Sequence, residues 1–318
     1  MPSTKHLVDP DLLPILDSLP DPTIYCAQRL NEAREAAAAM IAALICSDDY
    51  EVRSEERRIA TATGHEVRVI VHLPNKAAAA RPALLHIHAG GYIVGTAEMS
   101  TGVNRALVDA LDCVIVSVDY RLAPETPHPG PVEDCYAALN WLHDNAASLG
   151  VDPARIGLVG ESAGGGLAAA LALLARDRGE IPVVHQHLLY PMLDDRTCLV
   201  ELPLAGEFVW SASANHYGWS ALLGKPPGSE GVSPYAAAAR SADLSGLPST
   251  FILCGALDLF LREDIEYARR LIEAGVPTEL HVYPGAFHAF DRIPGAKVSD
   301  AANRASLEAL RRVMSAPG

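Results

Sequence analysis

Apolar positions change their spacing along the chain, and the change marks where one kind of element gives way to another. Leu30, Ala33, Ala37, Met40, Ile41 and Leu44 recur at helical intervals against Arg29, Glu32, Arg34 and Glu35, which predicts one amphipathic helix whose apolar face must pack on something. Two extended runs follow at about 52–61 and 66–73, joined through Gly64, and they predict a hairpin. Beyond a polar, alanine-rich loop at 75–81, short apolar runs alternate with longer alanine- and leucine-rich ones. The runs at 83–88, 113–118, 155–159, 183–189, 250–253 and 278–283 read as strands, and those at 132–146 and 167–178 as helices. This βα alternation predicts an α/β fold with a mostly parallel sheet flanked by helices.

Between about 194 and 242 the rhythm breaks. That stretch carries Pro203, Gly206, Gly224, Pro226, Pro227, Gly228, Gly231 and Pro234 among Phe208, Trp210, Tyr217 and Trp219. An irregular, aromatic-containing insertion late in such a sheet reads as a cap over the C-terminal strand ends, where open α/β sheets bind ligands; a plain surface excursion is the alternative. The expected organisation is an N-terminal part of a cap at 1–50, a core at 51–193, a cap insertion at 194–242 and the rest of the core at 243–318.

Composition narrows the functions on offer. A chain of 318 residues, 49% of them hydrophobic, can bury a large core. Its formal charge of −14, from 25 Lys and Arg against 39 Asp and Glu, argues against nucleic acid and anionic lipid as partners. Met1-Pro2-Ser3-Thr4-Lys5-His6 leads into Asp and Pro rather than an apolar signal region, and no segment has the length of a membrane span, so a soluble, cytoplasmic protein is expected. Cys26, Cys46, Cys113, Cys135, Cys198 and Cys254 are scattered without a Cys-x-x-Cys pair and read as structural thiols. His86-x-His88 and His185-x-His187 could each present two imidazoles on one strand face, but no carboxylate or cysteine completes a ligand set, so no metal is expected.

The chemistry centres on Gly160-Glu161-Ser162-Ala163-Gly164, which lies between a strand-like run and a helical run. A serine at so abrupt a strand-to-helix turn projects its hydroxyl from the bend, with glycines at the crowded flanks supplying space and backbone freedom. A helix starting just after it aims amides at the place where charge develops in acyl transfer. The plain alternative is a tight turn with an incidental serine. His88-Ala89-Gly90-Gly91 follows an apolar strand, and its backbone N–H groups, with that of Ala163, suit an oxyanion hole; otherwise it is a glycine turn. For a base, His288 lies just beyond the last strand, whereas its rival His281 falls inside it. For the acid that orients the base, Asp258 follows a strand, with Asp194 and Asp195 as rivals. The order Ser162, Asp258, His288 is that of α/β-hydrolases.

Together, His88-Ala89-Gly90-Gly91, Tyr120-Arg121-Leu122-Ala123-Pro124-Glu125 and Gly160-Glu161-Ser162-Ala163-Gly164-Gly165 resemble the hormone-sensitive-lipase-like family of bacterial carboxylesterases over residues 80–290. The resemblance implies the α/β-hydrolase fold, a triad of Ser162, Asp258 and His288, and an oxyanion hole from Gly90, Gly91 and Ala163. It also implies a helical cap built from the N-terminus and the late insertion. Two departures stand out: Ala89 replaces the first of three glycines, and Leu259-Phe260-Leu261-Arg262 replaces a more frequent Pro-Leu-Arg. Arg121 and Glu125 read as structural. The expected reaction is hydrolysis of short to medium acyl esters through an acyl-enzyme, with no cofactor. A non-catalytic small-molecule binder on the same fold, or an amide or lactone hydrolase, is the alternative. Trp210, Tyr92 and Phe287 are candidates to line the substrate pocket, although Tyr92 and Phe287 could equally be core aromatics. The strand at 278–283 could pair across a homodimer.

Overall fold

The computed structural model describes residues 3–19, 21–44, 50–61, 63–78 and 80–315; Met1, Pro2, Cys46 and the side chain of Leu44, all used in the sequence reading, lie outside them. Among the described residues eight strands form one sheet: β1 (Val52–Ala60), β2 (Glu66–Pro74), β3 (Arg81–Ile87), β4 (Val114–Asp119), β5 (Val151–Glu161), β6 (His185–Leu189), β7 (Ser249–Gly255) and β8 (Thr278–Tyr283). Their spatial order is β1-β2-β4-β3-β5-β6-β7-β8. β1 and β2 form an antiparallel hairpin turned at Gly64 (φ +85°), and β2 also runs antiparallel to β4. Every later pair is parallel, which places the strand ends that follow β3, β5, β6, β7 and β8 along one rim.

Alternation along the central strands sends neighbours into different layers. Leu84, Ile115 and Val159 face a cluster completed by Val108 of α2 (Thr101–Leu111) and by Leu310 and Met314 of α8 (Lys297–Ser315). Leu85, Val116 and Leu158 face the main core, with Leu139 of α3 (Gly130–Asp144) and Leu171 of α5 (Ala163–Arg178). Both faces of the sheet are thus covered, and β3 and β6 are buried at every position. A short α4 (Ala146–Leu149) leads into β5.

α5 starts at Ala163, earlier than the run at 167–178 predicts. Its first turn contains Gly164, Gly165 and Gly166, poor helix formers that are retained because their surroundings leave no room for a side chain. A Cβ on Gly165 or Gly166 would lie 2.9 Å from Pro191 or 2.1 Å from the carbonyl of Met192.

The first helix, α1 (Leu30–Leu44), buries Leu30, Ala33, Ala37 and Ile41, but Met40 is 43% exposed. Met40 falls at the rim of the apolar stripe rather than inside it. Insertion 194–242 contains a regular helix, α6 (Ala212–Leu223), that the proline and glycine content hides. Ser211 Oγ caps it by accepting from the amide of Ala214 at 3.2 Å, and Gly224 ends it in the left-handed conformation. α7 (Leu261–Glu273) joins β7 to β8.

The N-terminal segment ties to two later parts of the chain. Glu207 accepts from Ser3 Oγ at 2.7 Å and from Thr4 Oγ1 at 2.6 Å. The amide of Asp9 donates to the carbonyl of Gly285 at 3.0 Å, while Val8 and Leu12 are buried in one cluster with Phe287 and Phe290. Arg34 of α1 donates to both oxygens of Glu125, at 2.8 and 2.7 Å, and Arg121 is fixed on Asp134 of α3.

Candidate active site

Ser162 occupies the bend between β5 and α5 at φ 55°, ψ −121°. A non-glycine residue held there stores about 1–3 kcal/mol, so its surroundings must impose the conformation. They do so through the Ser162 amide, which donates to the carbonyl of Leu189 at 2.9 Å, and through its carbonyl, which accepts from the amides of Met192 at 2.9 Å and Gly166 at 3.0 Å. The flanking glycines are expected to supply both space and backbone freedom; only the space is needed, because the positive φ falls on Ser162 itself. A Cβ on Gly160 would lie 2.3 Å from the carbonyl oxygen of Gly164, and one on Gly164 would lie 2.0 Å from that of Ile87.

Three side chains from three strand ends meet beside this bend. Ser162 Oγ is 2.9 Å from Nε2 of His288, and Nδ1 of His288 is 2.8 Å from Oδ2 of Asp258. A carboxylate only accepts, so Nδ1 carries the ring hydrogen and Nε2 is left to accept from the serine hydroxyl. The second oxygen of Asp258 accepts from the amide of Phe260 at 2.9 Å, and Asp258 is fully buried. The loops that carry the acid and the histidine are stitched together: the amides of Ala256 and Leu257 donate to the carbonyls of Tyr283 and Ala286 at 2.8 and 2.9 Å. Tyr190 and Phe260 present their edges to the His288 ring, with centroids 4.8 and 5.3 Å away. From sequence neither ring has an assigned role, Phe260 being noted only within the departure at 259–262, although Tyr190 follows β6 as Asp258 follows β7.

The segment after β3 turns through Gly90 (φ +126°) and Gly91 (φ +59°), with the amides of Ile93 and Val94 both donating to the carbonyl of Gly90 at 3.0 Å. Among the described residues the amides of Gly90, Gly91 and Ala163 donate to no protein acceptor. His88 is held by its Nδ1, which donates to the carbonyl of Ala89 at 2.7 Å, and by stacking on Tyr120 with centroids 4.2 Å apart. Burial pushes the pKa of its imidazole down to about 4, so this histidine is neutral structure rather than a proton carrier.

Of the pocket candidates, Trp210 lies against this loop: a Cβ on Gly91 would be 2.1 Å from its Cη2, and its ring packs on Tyr25 with centroids 5.2 Å apart. Tyr92 and Phe287 do not share that position. Tyr92 is fully buried and donates its hydroxyl to the carbonyl of Met192 at 3.0 Å, and Phe287 is sealed against Phe208, so both are core aromatics.

The rival residues are occupied elsewhere. His281 Nε2 pairs with Glu279 at 2.7 Å inside β8, Asp194 holds Arg196, and Asp195 holds Arg240. His86 meets Ser117 and Glu161, and His185 lies 3.4 Å from His187. Among the described residues no group of three His, Cys, Asp or Glu is arranged to hold a metal ion, and no helix is long and apolar enough to cross a membrane.

Fold and side-chain arrangement together define a serine hydrolase on an α/β-hydrolase scaffold. A family model described as the alpha/beta hydrolase fold matches residues 84–292. Carboxylesterase NlhH of Mycobacterium tuberculosis is 35% identical over 320 residues, covering 96% of this chain and 98% of that protein. Among solved structures, a bacterial heroin esterase superposes with a TM-score of 0.93 at 39% identity, covering 99% of this chain and 100% of the other. Esterase LipW from Mycobacterium marinum gives 0.83 at 32% identity, with 99% of both chains covered. The chain belongs to the hormone-sensitive-lipase-like family of α/β-hydrolases and is a carboxylic ester hydrolase.

Proposed function

We propose that Ser162 is the nucleophile, His288 the general base and Asp258 the group that orients it, in a two-step hydrolysis of short to medium acyl esters. Ser162 Oγ attacks the acyl carbon while its proton passes to Nε2 of His288. That proton then goes to the departing alcohol as its C–O bond breaks. In the second step the same imidazole takes a proton from water as the water oxygen bonds to the acyl carbon; the bond from that carbon to Ser162 Oγ then breaks, Oγ takes the proton back from Nε2, and the carboxylic acid leaves. Asp258 stabilises the imidazolium that forms in each step. The amides of Gly90, Gly91 and Ala163 receive the oxyanion, each such donor contributing on the order of 3 kcal/mol to the transition state. This chemistry draws on no cofactor.

The observation that carries the reading is the continuous chain from Ser162 Oγ through His288 to Asp258, at 2.9 and 2.8 Å. The preference for shorter acyl groups is supported by a nucleophile only 4% exposed and by Trp210 resting on Gly91. Contacts of Glu207 with Ser3 and Thr4, and of Trp210 with Tyr25, support a cap formed jointly by residues 1–50 and 194–242. Free thiols at Cys26, Cys113, Cys135, Cys198 and Cys254 support a reducing, cytoplasmic setting. The outer edge of β8, with Val282 42% exposed, supports a homodimer.

The test is covalent. A fluorophosphonate should modify wild-type protein once, at Ser162, and abolish turnover, while Ser162→Ala should lose roughly 10⁵-fold or more in kcat and remain unlabelled. Turnover in Ser162→Ala within tenfold of wild type would refute the assignment. A p-nitrophenyl ester series that peaks at long acyl chains would refute the substrate class.

A further inference from the structure

Glu161 immediately precedes the nucleophile, is 3% exposed, and has no part in the reaction as written. Its two oxygens stand 3.2 and 3.1 Å from Nε2 of His86 on β3, and the first also accepts from Nη2 of Arg292 at 2.6 Å. Ser100 Oγ lies 3.5 Å from that oxygen and itself accepts from Arg292 at 3.3 Å. His86 is held from behind: its Nδ1 is 2.8 Å from Ser117 Oγ, whose one hydrogen goes to the carbonyl of Ala97 at 3.1 Å. A carboxylate only accepts, so the imidazole donates Nε2–H to Glu161, and Ser117 Oγ against its other nitrogen fixes the ring in that orientation.

The other end of this arrangement matters more. Arg292 closes the helical turn Phe290–Arg292 that follows His288, and its backbone amide donates to the carbonyl of Ala289 at 3.2 Å. Ser162 and His288 come from segments 126 residues apart and are joined directly by one hydrogen bond. The Glu161–Arg292 pair is a second tie between the same two segments, made one residue before the nucleophile and four after the base. It is anchored in the sheet rather than in a mobile side chain, because His86 and Glu161 lie on adjacent strands, β3 and β5.

We infer that Glu161 is a positioning residue: through Arg292 it holds the His288 loop in register with the Ser162 bend, while His86 and Ser100 fix the carboxylate that does so. This rests on the reading of Ser162 and His288 as nucleophile and base. A misplacement of about 1 Å between reacting groups can cost roughly 10²-fold in rate, so the tie acts on kcat rather than on substrate affinity.

The experiment compares wild type, Glu161→Gln, Arg292→Ala, Arg292→Lys and the double variant Glu161→Gln/Arg292→Ala. It reads kcat and KM on a short-chain p-nitrophenyl ester and the rate of fluorophosphonate labelling at Ser162. Glu161→Gln and Arg292→Ala should each lose roughly ten- to hundredfold in kcat and in labelling rate, with KM within about twofold. The double variant should be no worse than the poorer single, and Arg292→Lys should recover most of the loss because it restores the charge. Labelling rates close to wild type in both single variants, or Arg292→Lys as slow as Arg292→Ala, overturns the inference. Should Glu161→Gln fail to fold, Arg292, with a side chain 32% exposed, decides the matter alone. Wild-type protein that takes up no phosphonate at Ser162 defeats the hydrolase reading itself, before any variant is compared.

Discussion

Gly164 and Ile87 approach more closely than any side chain would permit, since a Cβ on the glycine would lie 2.0 Å from the carbonyl oxygen of Ile87 and 2.5 Å from that of His88. This contact presses the start of α5 against the end of β3, and so sets the spacing between the amide of Ala163 and those of Gly90 and Gly91. Gly164→Ala must push the two elements apart. It should lower stability by about 1–3 kcal/mol through overpacking and reduce kcat more than it changes KM. Denaturant midpoints and steady-state kinetics measure both; a variant with wild-type kcat would separate the contact from the oxyanion geometry.

Asp258→Asn keeps the shape of the acid but presents an amide to Nδ1 of His288, and the ring can then settle with its hydrogen on Nε2, facing the serine. The expected loss in kcat is on the order of 10³–10⁴-fold, with KM little altered. A loss below tenfold would indicate that another carboxylate orients the base.

Much of the scaffold is legible because parallel strands are buried on both faces and must be dense in Val, Ile and Leu, as Val114–Asp119 and Arg81–Ile87 are. The rim position of Ser162, Asp258 and His288 is legible for a related reason: each follows such a run. Other features depend on three-dimensional crowding that no local pattern carries. The early start of α5 at Ala163 needs Pro191 and Met192 against its glycines. The helix Ala212–Leu223 mixes Asn215, Gly218 and Trp219 on buried positions, so its periodicity is weak. Tyr92 directly follows Gly90 and Gly91 yet turns into the core at φ 69°, which proximity in sequence cannot reveal.

Stability should depend on pH through four buried imidazoles. Burial above all lowers His72, His88 and His185 to about 4, and His187 well below its ordinary value of 6.5. In the folded protein they stay neutral where the unfolded chain would protonate them. Between about pH 4 and 6.5 the unfolded state therefore binds more protons, so their contribution is complete above 6.5 and is lost as pH falls through that window. Urea midpoints should drop between about pH 7.5 and 5, and His185→Gln should make the drop shallower. A midpoint that does not move over this range would show that these groups stay accessible to protons in the fold.

Trp210 follows Val209, a β-branched residue held at φ 64°, and its indole rests on Gly91. Such a backbone costs about 1–3 kcal/mol and persists only where packing enforces it. Trp210→Ala should widen the space beside the Gly90–Gly91 loop, raising kcat/KM for longer acyl chains relative to acetate. Rates across an acyl series measure the ratio, and an unchanged ratio would remove Trp210 from the acyl wall.

The grip of Glu207 on Ser3 and Thr4, and of Gly285 on Asp9, also orders events during biosynthesis. Residues 3–12 leave the ribosome long before their partners have been translated, so this strap must wait unpaired while the central strands assemble behind it. Only when the segment carrying His288 has emerged can residues 3–12 fasten, so the histidine loop is clamped by a piece of chain translated well before it.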